Sequence, residues 1–238
     1  MKVRGGRGLY GFRIGILMLD TVFPRIPGDI GHAGTFPFPV LYYRVPNASP
    51  TRVVREADPA LLEGFIEGAR ALQASGVQAI TTGCGFLSLF QRELAAAVGV
   101  PVFTSALLLV PTVARMLGPG RAVGILTVDS GSLSPRHLTG AGITAEIPIV
   151  VAGLEKGRAF TRVLLDDELE LDVDAARGEH VEVARELVGR HPEVGAIVLE
   201  CTNMPPYAAA IREATGRPVF DITTLIRTVY AALAPAAD

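Results

Sequence analysis

One stretch of this chain can be laid over another without a gap. VQAITTGCGFLSLFQRELAAAVGVPVF, which begins at Val77, matches VGAIVLECTNMPPYAAAIREATGRPVF, which begins at Val194. Val77, Ala79, Ile80, Cys84, Ala97, Gly99, Pro101, Val102 and Phe103 then coincide with Val194, Ala196, Ile197, Cys201, Ala214, Gly216, Pro218, Val219 and Phe220. Pro101 and Pro218 stand equally far, 17 residues, beyond the two cysteines. An earlier pair also repeats: GILMLDT at 15–21 and GILTVDS at 124–130. Glycine before Pro-Val is a common way into a strand, but a gapless run that superimposes the only two cysteines calls for two similar structural units.

Within each unit, short β-branched runs alternate with helical periodicity, the pattern of a parallel sheet covered by helices. Strands are expected at 12–19, 77–82, 100–103, 121–128, 143–151, 194–200 and 217–220. Helices are expected at 58–75, 86–98, 105–117, 132–141, 174–190, 205–215 and 222–234. Asp58 followed by Pro59 is a helix start, and Leu61, Leu62, Phe65, Ala69 and Leu72 share one face. The expected fold class is α/β, with two Rossmann-like parallel-sheet halves related by a pseudo-two-fold and the active site in the cleft between them. The boundary falls near Gly118–Gly120. The N-terminal half is 12–118, with a closing helix at 222–238 packing on it, and the C-terminal half is 119–221.

Bulk properties narrow the function. A net charge of −2 and 49% hydrophobic residues describe a compact chain without a nucleic-acid-binding surface. The longest apolar run, ALLLVPTVA at 105–113, is too short to cross a bilayer. MKVRGGRGLYG has no apolar segment of the signal-peptide kind, so the expected compartment is the cytoplasm. The two cysteines are then expected as free thiols rather than a staple. His32, His137, His180 and His191 are scattered without HExxH or CxxC spacing, so no metal site is expected. The only lysines are Lys2 and Lys156, and GLEKGR offers no phosphate cradle for a pyridoxal cofactor. No cofactor is expected.

In open parallel sheets, ligands bind beyond the carboxyl ends of the strands, where both cysteines sit. If the halves face each other, Cys84 and Cys201 approach one cleft from opposite sides. A helix N-terminus lowers a thiol from its usual pKa of about 8.5, because unpaired N–H groups favour the thiolate. One thiolate could then take a proton from a carbon while the opposite thiol delivers one to the other face, inverting the centre. A lone cysteine beside a strand is ordinarily core filling; the repeat makes the pair functional.

ITTGCGFL, LECTNMPPY and the early strand ending in Asp20-Thr21 resemble the aspartate/glutamate racemase superfamily, which includes hydantoin racemases, maleate isomerase and arylmalonate decarboxylase. The resemblance covers nearly the whole chain. It implies an isomerase that moves protons, without a cofactor, at the carbon next to a carboxyl or carbonyl of an amino acid or related carboxylate. Carried over by position, Cys84 and Cys201 would be the acid/base thiols and Asp20 would orient one of them. Backbone N–H groups of Gly85, Phe86, Thr202 and Asn203, with the Thr127 and Ser130 hydroxyls, would hold the substrate carboxylate and the enolate-like oxygen. Partners would be small carboxylates, with neither nucleic acid nor membrane, in a possible homodimer. Two departures from glutamate racemases stand out: Asn203 replaces a histidine, and Gly85-Phe86 replaces an Asn-Thr pair. Alternatives are a hydantoin racemase, a maleate-type cis–trans isomerase using one cysteine as nucleophile, and a non-catalytic small-acid binder.

Three other segments invite a reading. FPRIPGDIGHAGTFPFPV at 23–40 is a long Pro/Gly-rich connection in which Asp29, His32 or Phe36 could touch substrate. Gly6, Gly8 and Gly11 form a G-x-G-x-x-G that precedes a strand, the wrong context for a dinucleotide, so an N-terminal arm is expected. The acidic run at 164–174 lacks cation-ligand spacing and reads as a solvated connection.

Overall fold

The computed structural model describes residues 5–233. Lys2 and the last residues of the expected closing helix lie outside them. Two four-stranded sheets form, each parallel throughout. The first is ordered β2-β1-β3-β4, from β1 (Ile14–Met18), β2 (Val40–Arg44), β3 (Ala79–Thr82) and β4 (Val102–Phe103). The second is ordered β6-β5-β7-β8, from β5 (Ala122–Thr127), β6 (Ile149–Gly153), β7 (Val194–Leu199) and β8 (Val219–Phe220). The same strand order in each half is the duplication expressed in space.

The helices are α1 (Leu62–Ala74), α2 (Gln91–Ala97), α3 (Val110–Met116), α4 (Pro135–Gly140), α5 (Thr161–Leu165), α6 (Val173–Arg190), α7 (Ala208–Thr215) and α8 (Ile222–Ala232). Asp58 accepts the Ala60 N–H at 2.9 Å, as a capping residue should. Every residue of β1 and β5 is buried, because helices cover both faces of a parallel sheet. A Cβ on Gly15 would sit 2.9 Å from Leu72 of α1, and one on Gly124 would sit 2.9 Å from Leu187 of α6. Both glycines let a helix approach its central strand, at equivalent points of the two halves. Ile222 and Ile226 of α8 pack into a core shared with Ile14 and Phe103 as well as Val198, and the Tyr230 ring stacks on Phe38.

The structure departs from the sequence reading in three places. VLYYR forms β2, which the periodicity did not suggest, because the strand is an edge and only half buried. β6 begins at Ile149 rather than 143, since Pro148 lacks the N–H that a ladder requires and the preceding residues turn. The acidic run is not simply a solvated connection: Leu164 and Leu165 end α5 and are buried.

Candidate active site

Cys84 lies two residues past β3, in extended conformation, and caps a six-residue 3-10 turn over Gly85–Phe90. Thr82 Oγ1 donates to both the Cys84 carbonyl (2.9 Å) and the Thr104 carbonyl (2.6 Å), which fixes the backbone that carries the thiol. Cys201 follows β7 by way of Glu200, and its Sγ faces Asn203 Oδ1 at 3.6 Å. Both thiols are free, buried and on the wall of one cavity of about 30 Å³ between the halves. Leu19, Phe23, Val54, Phe86, Val128 and Leu165 supply most of its apolar surface. A larger groove of about 500 Å³ lies along β6 and α6, but neither cysteine reaches it.

Glu200 is fully buried on the cavity wall. Its Oε2 accepts the Thr127 hydroxyl at 2.8 Å, while Oε1 has no hydrogen-bond partner. Burial pushes its carboxyl up to about 8, against the pull of the Thr127 hydrogen bond. The thiols are raised as well. Burial, then the neighbouring Glu200 charge, pushes Cys84 up to about 12, although the Phe86 and Leu87 N–H groups and Arg25 favour its thiolate. The same two causes raise Cys201 well above a normal thiol, opposed by the Asn203 N–H. The helix-terminus argument predicted lowered thiols; the N–H groups are in place, but desolvation outweighs them.

The 23–40 segment reaches the cavity through Phe23 and Arg25. Asp29, buried, binds Arg25 Nη1 at 2.9 Å and accepts from Asn203 Nδ2 at 2.6 Å, so the first half's loop grips the second cysteine motif. The Arg25 guanidinium also donates to Thr21 at 3.1 Å and lies 4.5 Å above the Phe23 ring. Asp167, at a backbone φ of 55°, accepts the Val22 and Phe23 N–H groups at 2.8 and 3.0 Å and ties the same loop to the end of α5. Ligand pockets commonly enclose about 300 Å³ or more. The 30 Å³ space between the thiols is far smaller than that, and Phe23, Arg25, Leu164 and Leu165 stand on its wall.

The residues named from sequence are distributed unevenly. Cys84, Gly85, Phe86, Cys201 and Asn203 line the cavity together. A Cβ on Gly85 would overlap the Glu200 carbonyl and carboxylate, so glycine is there to make room. Thr127 holds Glu200, and Thr202 donates to the Gly83 carbonyl at 2.7 Å, joining the halves rather than facing the cavity. Asp20 is not brought to the thiols: its half-exposed carboxylate pairs with Arg44 at 3.3 Å. Ser130 binds Glu155 at 2.9 Å, away from the cavity. His32 accepts the Gly34 N–H within its own loop, and Phe36 packs in the core. Sequence reasoning passed over Glu200 and Arg25. A carboxylate closing the apolar run IVLE was the available signal for Glu200; nothing local marked Arg25. Among the described residues no group of three or more His, Cys, Asp or Glu could hold a metal, and no helix is long and apolar enough to cross a membrane.

No protein-family model matches the chain. A dimethylsulfoniopropionate lyase from Durusdinium sp. clade D is 31% identical over 214 residues, which span 87% of this chain and 70% of that protein. The chain belongs to the same family as this lyase. Its fold is that of the aspartate/glutamate racemase superfamily. Glutamate racemase isoform RacE1 from Bacillus anthracis superposes with a TM-score of 0.61 at 14% identity, covering 97% of this chain and 85% of that one. A glycine-to-cysteine mutant of arylmalonate decarboxylase superposes at 0.59 with 19% identity, covering 87% and 86%. The named relatives are enzymes, and so is this family member.

Proposed function

We propose that the chain is a cofactor-independent lyase that removes a proton from the carbon next to a carboxylate and expels a leaving group from the following carbon. Dimethylsulfoniopropionate, or a close analogue, is the substrate that the family relationship favours. The observation that carries the reading is the placing of both thiols on one small apolar cavity, with Glu200 the other acid/base group on its wall among the described residues.

One thiolate takes the α-proton and becomes a thiol. The C–H electron pair becomes the new carbon–carbon double bond, and the β-carbon–sulfur pair departs on sulfur as neutral dimethyl sulfide, leaving acrylate. The raised thiols bear on the timing. Burial keeps both thiols protonated, and a sulfonium charge beside them lowers the cost of the thiolate. The reactive base is thus formed when its substrate is present. Exclusion of water around the developing charge strengthens every interaction that stabilises it.

A second reading, an amino-acid racemase or epimerase with Cys84 and Cys201 as opposed bases, is favoured by the symmetric pair of thiols. Proton NMR in D₂O with dimethylsulfoniopropionate and a panel of L- and D-amino acids, 5-substituted hydantoins and small diacids separates the two. Vinyl signals from the sulfonium compound, abolished by at least one of Cys84→Ala and Cys201→Ala, support elimination. Loss of an amino-acid α-proton signal that needs both cysteines supports racemisation. Activity that survives in both variants would sink the thiol mechanism in either form.

A further inference from the structure

Glu200 is the one acidic or basic side chain on the cavity wall with no partner of opposite charge among the described residues. Arg25, also on the wall, is already neutralised by Asp29 and tied to Thr21. Glu200 has only the Thr127 hydroxyl, makes no ion pair among the described residues, and leaves Oε1 unpartnered inside the protein. A buried carboxylate in an apolar wall is costly unless something positive meets it. The protein supplies no such group there. Phe86 is buried on the same wall, and an aromatic ring is a surface that attracts alkylated cations. Gly85 and Phe86 are the positions where the chain departs from the glutamate racemase pattern. The glycine clears the space that Glu200 occupies and the phenylalanine adds the ring.

Resting on the substrate reading above and deepening it, we propose that Glu200 and Phe86 form an onium subsite that selects small carboxylates bearing a permanent positive charge, sulfonium or quaternary ammonium. Glu200 contacts the cationic end directly. Thr127 is its positioning residue, orienting the carboxylate by the hydrogen bond to Oε2. Burial and then the Thr127 hydrogen bond set the charge of Glu200; the groups around it are Cys84 past β3 and Cys201 on its own segment, both raised by its charge, and Arg25 on the same wall, paired with Asp29. A cation bound at Oε1 holds Glu200 ionised, so binding below a pH of about 8 releases a proton.

The test is equilibrium binding, which does not depend on turnover. Titration calorimetry compares 3-(trimethylammonio)propionate with 4,4-dimethylpentanoate, the isosteric carboxylate that lacks the cationic centre. The wild-type chain should prefer the onium compound by tenfold or more at pH 8.5. That preference should shrink by up to tenfold per pH unit below about 8. At pH 6.5, comparing two buffers of different ionisation enthalpy should show about one proton released with the onium ligand and none with the isostere. Glu200→Gln should bind both with similar affinity and release no proton; Glu200→Asp should keep part of the preference. If Glu200→Gln does not fold, the wild-type proton release and the Glu200→Asp ratio decide. Equal binding of the two ligands by wild type, binding of neither, an onium preference without proton release at pH 6.5, or a preference that survives in Glu200→Gln refutes the subsite. Lyase activity with no charge preference would overturn the subsite alone. A Glu200-dependent charge preference with no elimination would overturn the lyase reading alone.

Discussion

Replacing Glu200 by Gln should change how stability depends on pH, and the size of the change follows from the burial of one carboxyl. Folding raises that group from an ordinary 4.5 to about 8. Between those values the folded chain binds a proton that the unfolded chain has released, so stability falls as pH rises and the full loss is present above 8. The interval is about 3.5 pH units at ~1.4 kcal/mol each, on the order of 5 kcal/mol in all. His180 acts in the opposite sense. Buried between the Phe160 and Tyr207 rings, it is pushed down to about 4 by burial, and its contribution is lost as pH falls from 6.5 towards 4. The two slopes therefore oppose each other between 4.5 and 6.5, and His137, shifted the same way as His180, adds to its side. From 6.5 to 8 Glu200 acts without them, since both thiols titrate higher. Urea unfolding over that interval should show wild type losing roughly 2 kcal/mol while Glu200→Gln stays nearly flat. Parallel curves for the two proteins would mean that the carboxyl is not held protonated by its surroundings, and the reasoning about its charge would fail.

His180→Phe should flatten the acid limb, removing on the order of 3 kcal/mol of pH dependence between 6.5 and 4, read from the same unfolding series. Gly85→Ala should lower stability by about 1–3 kcal/mol or more, seen as a fall in melting temperature, because its methyl group overlaps Glu200. Iodoacetamide should modify Cys84 and Cys201 more slowly than an ordinary free thiol at pH 7.5, followed by intact mass, because burial keeps both protonated. Asp167→Ala removes the acceptor of the Val22 and Phe23 N–H groups at a cost of about 1 kcal/mol, and it should speed that modification several-fold by loosening Phe23 on the cavity wall. An unchanged alkylation rate in this variant would show that the cleft opens elsewhere.

Much of the fold was legible because parallel strands buried on both faces write themselves as apolar runs. β1, β3, β5 and β7 are of this kind, and the repeat tied them into two halves. The edge strands were harder. β2 and β6 pair on one side only and are half buried, so their residues carry a weaker hydrophobic signal; one was missed and the other placed too early. The repeat held a clue to both, since β2 stands to β1 as β6 stands to β5.

The site divided in the same way. Cys84 and Cys201 were found because strand-to-helix turns at equivalent points of a duplicated unit must present equivalent residues. Asp20 and Ser130 lie off the cavity wall, paired with Arg44 and Glu155, because position along the chain does not say which way a side chain turns after a strand ends. Arg25 and Asp29 reach the site only because the connection between β1 and β2 folds back onto the second cysteine motif.

By itself the sequence determined the duplicated α/β architecture and the two thiols at the carboxyl ends of corresponding strands. Both depend on local patterning and on identity between repeats. Tertiary structure alone decided the ionisation of the site and the narrowness of its cavity. Whether a thiol is activated by a helix turn or silenced by burial depends on how much water the facing half removes, and the facing half here brings apolar side chains and an unpaired carboxylate to the same small space. Desolvation is a property of the whole packed surface around an atom, so no stretch of chain encodes it alone.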